Sequence, residues 1–238
     1  MADFKDEGFE LMSEENENKE IERKLRNGFI RKVYGTIFFQ LLITTAVVYY
    51  VMTNESIMNY MFQNTNLIFL LLILSIGIML ILVCTQASQQ VPLNYILLIA
   101  FTLLEAFMVS FTTIYFDPIS VLACAGMTMI IVFGLSMYAC FTKRDITMMG
   151  GFLFCCSLLL IFLGFIGFFF RSHFYQMFLN SIGVLLMSLY LIYDTQLVIG
   201  EKQLLILIDD YIYGALLIYL DIISLFIRIL RLLATKKK

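Results

Sequence analysis

The chain contains seven apolar runs of about twenty residues each, separated by short connections. A helix needs about 20 residues to cross the hydrocarbon core of a bilayer, because each residue advances it by about 1.5 Å. Helices also satisfy their own backbone hydrogen bonds where no water is present. The sequence therefore predicts an all-α integral membrane protein, a compact bundle of seven hydrophobic helices. The runs cover residues 33–52, 66–85, 93–115, 119–141, 148–170, 176–200 and 211–233.

Composition agrees with this class of protein. Hydrophobic residues make up 61% of the 238 residues, whereas soluble domains contain about 45–50%. Charge divides the chain into three regions: residues 1–32 are acidic and then basic, residues 33–233 form the predicted bundle, and residues 234–238 are a basic tail. The basic part of the first region has the pattern of a short amphipathic helix. This helix would offer Ile21, Leu25, Phe29 and Ile30 to the membrane surface; the alternative is a solvated leader that only sets orientation.

Basic residues predict the orientation, because Lys and Arg are enriched in cytosolic connections. Five of them cluster at residues 23–32, directly before the first run, and two lie between the fourth and fifth runs, which predicts a cytosolic N-terminus. Seven complete crossings would place the basic tail on the opposite side. Either the last helix, which we expect to be central, is re-entrant, or the tail overrides the rule; we expect a cytosolic tail. The residues concerned are Arg23, Lys24, Arg26, Arg31, Lys32, Lys143, Arg144, Arg228, Arg231 and Lys236 to Lys238.

Two carboxylates lie inside the last two apolar runs. Asp194 is in the last turns of the sixth run and Asp221 is near the middle of the seventh. A carboxylate in hydrocarbon costs several kcal/mol, so such a residue is a candidate functional site. Small and polar residues share one face of each helix with these acids, which predicts that the two faces lie against each other or toward the centre of the bundle.

Two carboxyl groups in such a place cannot both ionise cheaply, so we expect them to share a proton and to titrate as a coupled pair. Protonated, they bind each other and hold the helices together. Deprotonated, they repel and offer oxygen ligands to a hard cation such as Ca²⁺. The alternative is that each is capped by a hydroxyl or paired with a base such as Arg228. We assign Arg228 and Arg231 to helix pairing and orientation.

Three further acids are candidates for an ion pathway. Glu105 lies midway along the third run, with no basic residue in its own helix; it belongs either to a cation path or to a hydrogen bond between helices. Asp209 and Asp210 precede the last run. They are either acids favoured by the dipole at a helix start or an acidic vestibule.

Four motifs resemble the transmembrane BAX inhibitor motif family. They are FTLLEA at 101–106, VFGLSMY at 132–138, IYDTQ at 192–196 and IYLDIISLFIRILRLL at 218–233. The last two, in this order and spacing, are the specific ones. The resemblance extends from about Arg31 to the C-terminus.

The resemblance implies a Ca²⁺-permeable leak channel of Golgi and endoplasmic reticulum membranes that lowers store Ca²⁺ and inhibits apoptosis. It implies a pH-sensing aspartate pair at Asp194 and Asp221, and an acid before the last helix at Asp210. Relatives can carry an Arg on the second helix that locks one aspartate. The second run of this chain, residues 66–85, contains no Arg or Lys, which puts that latch in doubt.

Two other functions fit the sequence. One is a non-conducting anti-apoptotic adaptor that binds itself or other apoptosis-regulating membrane proteins. The other is an intramembrane aspartyl protease, since two aspartates can activate water; the residues before Asp221 are Tyr219 and Leu220, and the Gly-x-Gly of such proteases is missing. We therefore expect no enzyme, no cofactor beyond Ca²⁺ as transported ion, and no nucleic-acid partner.

Overall fold

The computed structural model describes residues 3–142, 144–169, 172–200 and 210–234. Two short 3₁₀ segments, Gln86–Gln89 and Thr147–Met149, precede the fourth and sixth helices. The helices are α1 (Asp3–Thr53), α2 (Glu55–Gln63), α3 (Leu67–Cys84), α4 (Leu93–Thr113), α5 (Pro118–Phe141), α6 (Gly150–Phe169), α7 (His173–Ile199) and α8 (Tyr211–Leu233).

Each predicted apolar run corresponds to one long helix, so the all-α membrane bundle is confirmed. The helix ends agree with the predicted runs to within three residues, except at two places. The first helix begins at Asp3 instead of residue 33, and the predicted connection at 54–65 contains the short helix α2. Asn54 explains the second difference, because its Oδ1 accepts hydrogen bonds from the backbone N–H of Ser56 and Ile57 at 3.2 and 3.3 Å. Such a cap satisfies donors that are otherwise unpaired at a helix start.

The last helix lies at the centre of the bundle, as predicted. Its side chains enter three of the hydrophobic clusters in the described residues, one with α1 and α7, one with α3 and α4, and one with α5. Ile218 packs in the first cluster, Leu216 in the second and Leu225 in the third, and all three are at most 1% exposed. Helix α3 packs on α4, and α6 packs on α7.

The outer helices present large apolar side chains to their surroundings. Ile73 on α3, Ile130 on α5 and Phe162 on α6 are 67%, 74% and 62% exposed. An apolar surface of this extent is excluded from water and indicates contact with lipid. Within the described residues, six helices are long and apolar enough to cross a membrane, and α8 is not among them. The chain is therefore a multi-pass membrane protein, while a re-entrant course for α8 stays a prediction.

The basic segment before the first apolar run is continuous with it in α1 and is not a separate surface helix. Ile21 and Leu25 are about half exposed, as a membrane-surface helix requires. Phe29 is only 1% exposed and packs with Val33 and Ala215. The expectation that Phe29 lies on the membrane surface is therefore wrong, because this part of α1 turns toward α7 and α8.

Arg26 joins the start of the bundle to the end of α7. Its Nε donates to the carbonyl oxygen of Ile199 at 2.8 Å, and its Nη2 donates to that of Leu197 at 3.0 Å. A helix C-terminus leaves its last carbonyls unpaired and carries a partial negative charge. A guanidinium there is stabilised both by hydrogen bonds to those carbonyls and by attraction to the negative charge. Gly200 ends α7 in the left-handed region, at φ +61°. A Cβ on Gly200 would overlap Arg26 Nη2 and Cζ.

We predict that Gly200→Ala destabilises the protein. An L-residue in the left-handed region costs about 1–2 kcal/mol, and the new methyl group also displaces Arg26. Gly126→Ala in α5 is the matched control, because its Cβ meets no atom within 4 Å and alanine favours a helix over glycine. Thermal unfolding in detergent should show a lower Tm for Gly200→Ala and an unchanged or higher Tm for Gly126→Ala. Equal Tm values for both variants would contradict the contact.

Candidate functional site: two aspartates between the last two helices

The end of α7 directs four consecutive side chains to four different neighbours. Tyr193 lies against α6, where a Cβ on Gly150 would be 2.8 Å from its hydroxyl oxygen. Asp194 faces α8, and the fully buried Thr195 lies beside the Tyr34 hydroxyl of α1. Gln196 binds the connection between α5 and α6: its Oε1 accepts from Ile146 N at 2.8 Å and its Nε2 donates to Arg144 O at 3.0 Å. These contacts, together with Arg26, fix the position of Asp194.

Asp194 and Asp221 meet where α7 and α8 pack together. They are 6% and 8% exposed, and their side chains are within hydrogen-bonding reach of each other. A hydrogen bond between two carboxyl groups needs a proton on one of them. Asp221 Oδ2 is buried and has no hydrogen-bond partner among the described residues. The pair therefore has one oxygen that can accept from, or ligate, a further group.

The helices approach closely on both sides of this pair. A Cβ on Gly214 of α8 would lie 3.2 Å from Val198 Cγ2 of α7. Toward the other end of α8, a Cβ on Gly183 would overlap Arg228 Nη1 and would lie 2.6 Å from its Cζ. We call this contact surface, defined by Gly183, Asp194, Asp221 and Arg228, the α7–α8 seam.

Neither aspartate of the pair is bound to a basic side chain in the described part of the chain. Within the described residues, no ion pair joins either aspartate to Arg228 or Arg231. The described His, Cys, Asp and Glu side chains also form no group of three or more that could hold a metal ion. Ca²⁺ takes 6–8 oxygen ligands, which is more than two carboxyl groups supply.

Glu105 is on the other side of α8 from the aspartate pair. It lies on α4, and its carboxyl group is within hydrogen-bonding reach of Ser75 on α3. The α8 residue that packs against α4 here is Tyr219, whose ring is 6.4 Å from that of Phe101. Tyr219 and Asp221 are two residues apart, about 200° around a helix, so they point in opposite directions. The structure does not bring Glu105 to the aspartate pair.

Asp210 binds the connection between α3 and α4. Its Oδ1 accepts hydrogen bonds from Ser88 Oγ and Gln89 Nε2, both at 3.1 Å. It precedes α8 but makes no side-chain cap there, so its contacts hold the start of α8 to a neighbouring connection. Asp209 lies outside the described residues.

The structure also contains a buried polar cluster that the sequence interpretation missed, between α1, α4 and α8. Tyr219 OH and Thr44 Oγ1 are 2.9 Å apart, and Thr44 Oγ1 donates to the Gln40 carbonyl oxygen at 2.8 Å. Gln40 Nε2 donates to Thr102 Oγ1 at 3.1 Å, while Gln40 Oε1 is buried without a partner among the described residues. Gln40 and Thr44, a polar pair at i and i+4 within the first apolar run, are the signal that predicts this cluster.

We predict that Asp194→Asn and Asp221→Asn have coupled effects on stability. Contacting residues typically show interaction energies of about 0.5–3 kcal/mol in a double-mutant cycle, whereas distant residues are additive. The control cycle combines Asp194→Asn with Asp117→Asn, because Asp117 caps α5 through bonds to Ile119 N and Ser120 N and Asn caps equally well. Reversible unfolding in mixed micelles measures both cycles. Additivity in the first cycle would place the two carboxyl groups apart.

Comparisons with known proteins agree with the resemblance of the motifs. Residues 26–238 match the Bax1-I family, described as inhibitor of apoptosis-promoting Bax1. The chain is 32% identical to protein lifeguard 4 of Mus musculus, over 90% of this chain and 87% of the relative. It is 30% identical to the Golgi anti-apoptotic protein of Vaccinia virus (strain Lister), over 90% and 88% of the two chains.

A plant protein is also similar to this chain. Protein LIFEGUARD 3 of Arabidopsis thaliana is 36% identical over 88% of this chain and 85% of its own length. The matched family region, residues 26–238, contains the whole of α7 and α8. The chain belongs to the Bax1-I family, the BAX inhibitor motif family of membrane proteins.

Proposed function

We propose that the chain is a Ca²⁺ leak channel of Golgi and endoplasmic reticulum membranes that lowers store Ca²⁺ and thereby inhibits apoptosis. The observation that supports it best is the contact of Asp194 with Asp221 inside an apolar bundle. The name of the vaccinia relative, Golgi anti-apoptotic protein, supports an anti-apoptotic role and a Golgi location, and the description of the family supports the first of these. The proposal gives the pair an ion-binding task and no catalytic one.

The chemistry of the pair suits a divalent cation in transit. Acidic side chains select cations in channels, and carboxylate oxygens are hard ligands that Ca²⁺ prefers. Asp221 Oδ2 is buried and has no hydrogen-bond donor among the described residues, so a cation competes there only with the shared proton. Because only two carboxylates take part, binding is weak enough for the ion to leave, which conduction requires.

Protonation closes the same site. When one proton is shared, the two carboxyl groups bind each other and hold α7 to α8. When the proton is lost, two negative charges repel at close range, and a cation that arrives neutralises them. The leak is therefore expected to rise from acidic to mildly alkaline pH, with the proton and Ca²⁺ in competition for one pair of oxygens.

We predict that Asp221→Asn and Asp194→Asn each reduce Ca²⁺ flux severalfold. The amide keeps the size of the side chain but removes the charge that attracts the ion. Purified protein in liposomes with an internal Ca²⁺ indicator measures the initial rate across a range of pH. Asp117→Asn, which retains its cap on α5, should leak like the wild type. Wild-type liposomes that stay sealed, or Asn variants that leak normally, would contradict the proposal.

An experiment in cells distinguishes this channel from a non-conducting adaptor. We predict that Asp221→Asn loses protection against an apoptotic stimulus in the same proportion as it loses the reduction of store Ca²⁺. The two quantities are measured in one population, with an organelle-targeted Ca²⁺ indicator and a caspase-activity assay. Full protection by a variant that no longer lowers store Ca²⁺ would assign the activity to protein binding.

A further inference from the structure

Arg228 is a partly buried charge that forms no ion pair with the aspartate pair. It lies seven residues after Asp221 on α8, which is two turns, or about 10 Å, along the same face. Arginine keeps its charge in proteins under all ordinary conditions. Among the described residues, no acid forms an ion pair with it, and Arg231 is close enough to add a second positive charge.

The Arg228 side chain crosses from α8 to α7 at Gly183. A Cβ on Gly183 would lie 2.7 Å from Arg228 Cδ and 2.6 Å from its Cζ, and would overlap Nη1. The end of the side chain therefore lies directly on the α7 backbone, in space that only glycine leaves free. Gly183 precedes Asp194 by eleven residues, whereas Arg228 follows Asp221 by seven. The two contacts are thus successive points of one antiparallel interface, the α7–α8 seam.

These positions have opposite effects on a cation. At the aspartate pair the seam has negative charge and an oxygen, Asp221 Oδ2, without a hydrogen-bond partner among the described residues. About two turns farther along α8, the side chain of Arg228 occupies the space between the helices and carries a fixed positive charge. A divalent ion is repelled twice as strongly as a monovalent one by the same charge. Low-dielectric walls strengthen this repulsion, because they exclude the water that would screen it.

We infer that Arg228, which lies over Gly183, closes the α7–α8 seam to cations about two turns from the aspartate pair and so limits the rate of the leak. This inference rests on the proposed function, since it assigns a conduction-limiting residue to the same route. The charged residue that closes the route would then lie on α8. Helix α3, Leu67–Cys84, contains no basic residue that could serve in this way.

The test compares four proteins in Ca²⁺-indicator liposomes: wild type, Arg228→Gln, Arg228→Lys and Gly183→Ala. Arg228→Gln removes the charge and should raise the initial Ca²⁺ release rate at least about threefold. Arg228→Lys keeps the charge and should stay within about twofold of the wild type. Gly183→Ala displaces the guanidinium without changing any charge and should raise the rate as Arg228→Gln does. Size-exclusion profiles and Tm values establish that each variant is folded.

A second readout separates a charge barrier from a loosened bundle. The ratio of Ca²⁺ to K⁺ release should rise in Arg228→Gln, because the divalent ion gains more from loss of the positive charge. A bundle that is merely less tightly packed would pass both ions faster at an unchanged ratio, and that result would overturn the inference. Addition of Asp221→Asn to Arg228→Gln should return the rate to that of Asp221→Asn alone.

The outcomes distinguish the inference from the function on which it rests. If the wild type leaks, Asp221→Asn does not, and Arg228→Gln equals the wild type, the inference is wrong and the proposed channel stands. If Arg228→Lys leaks as fast as Arg228→Gln, charge is not the closing element, and the inference is again wrong. If all four proteins leave the liposomes sealed, both the inference and the proposed channel are wrong.

Discussion

The contact between the carboxyl groups of Asp194 and Asp221 is the interaction around which the bundle is arranged. Both groups are buried in an apolar protein, where an unpaired carboxylate is costly. Each carboxyl group lowers the cost of burying the other, but only while the two helices stay in register. The neighbouring contacts maintain that register. Arg26 and Gln196 hold the end of α7, and Asp210 holds the start of α8.

The central position of α8 gives it two polar faces with different roles. Asp221 faces α7, in the seam where we place the ion route, and Tyr219 faces α1 and α4, where hydroxyl and amide groups bind each other. Polar groups of the second kind typically join helices in lipid. Glu105, within reach of Ser75, lies with this structural face. An ion that follows the seam therefore meets Asp194, Asp221 and Arg228, and does not meet Glu105.

Most of the helices and the meeting of their polar faces follow from the sequence, because apolar run length and period are local properties. The aspartates were identifiable for the same reason: a charge stands out within an apolar run. The contact of Arg26 with the end of α7 was not, since it joins residues more than 170 positions apart and depends on how α1 crosses the bundle. The burial of Phe29 and the position of Arg228 over Gly183 likewise depend on helix rotation, which a pattern of apolar residues leaves open.

Infrared difference spectroscopy of the reconstituted protein tests the central claim most directly, because the C=O stretch of a carboxylic acid reports a protonated Asp. We predict a band from the carboxylic acid of the pair, which shifts in frequency in Asp194→Asn and in Asp221→Asn alike, because each substitution replaces one of the two carboxyl groups that bind each other. At constant pH, addition of Ca²⁺ should remove this band in the wild type, since the ion and the proton compete for the same oxygens. A band that persists unchanged in Ca²⁺, or that keeps its frequency in either variant, would contradict a shared proton and a shared cation site.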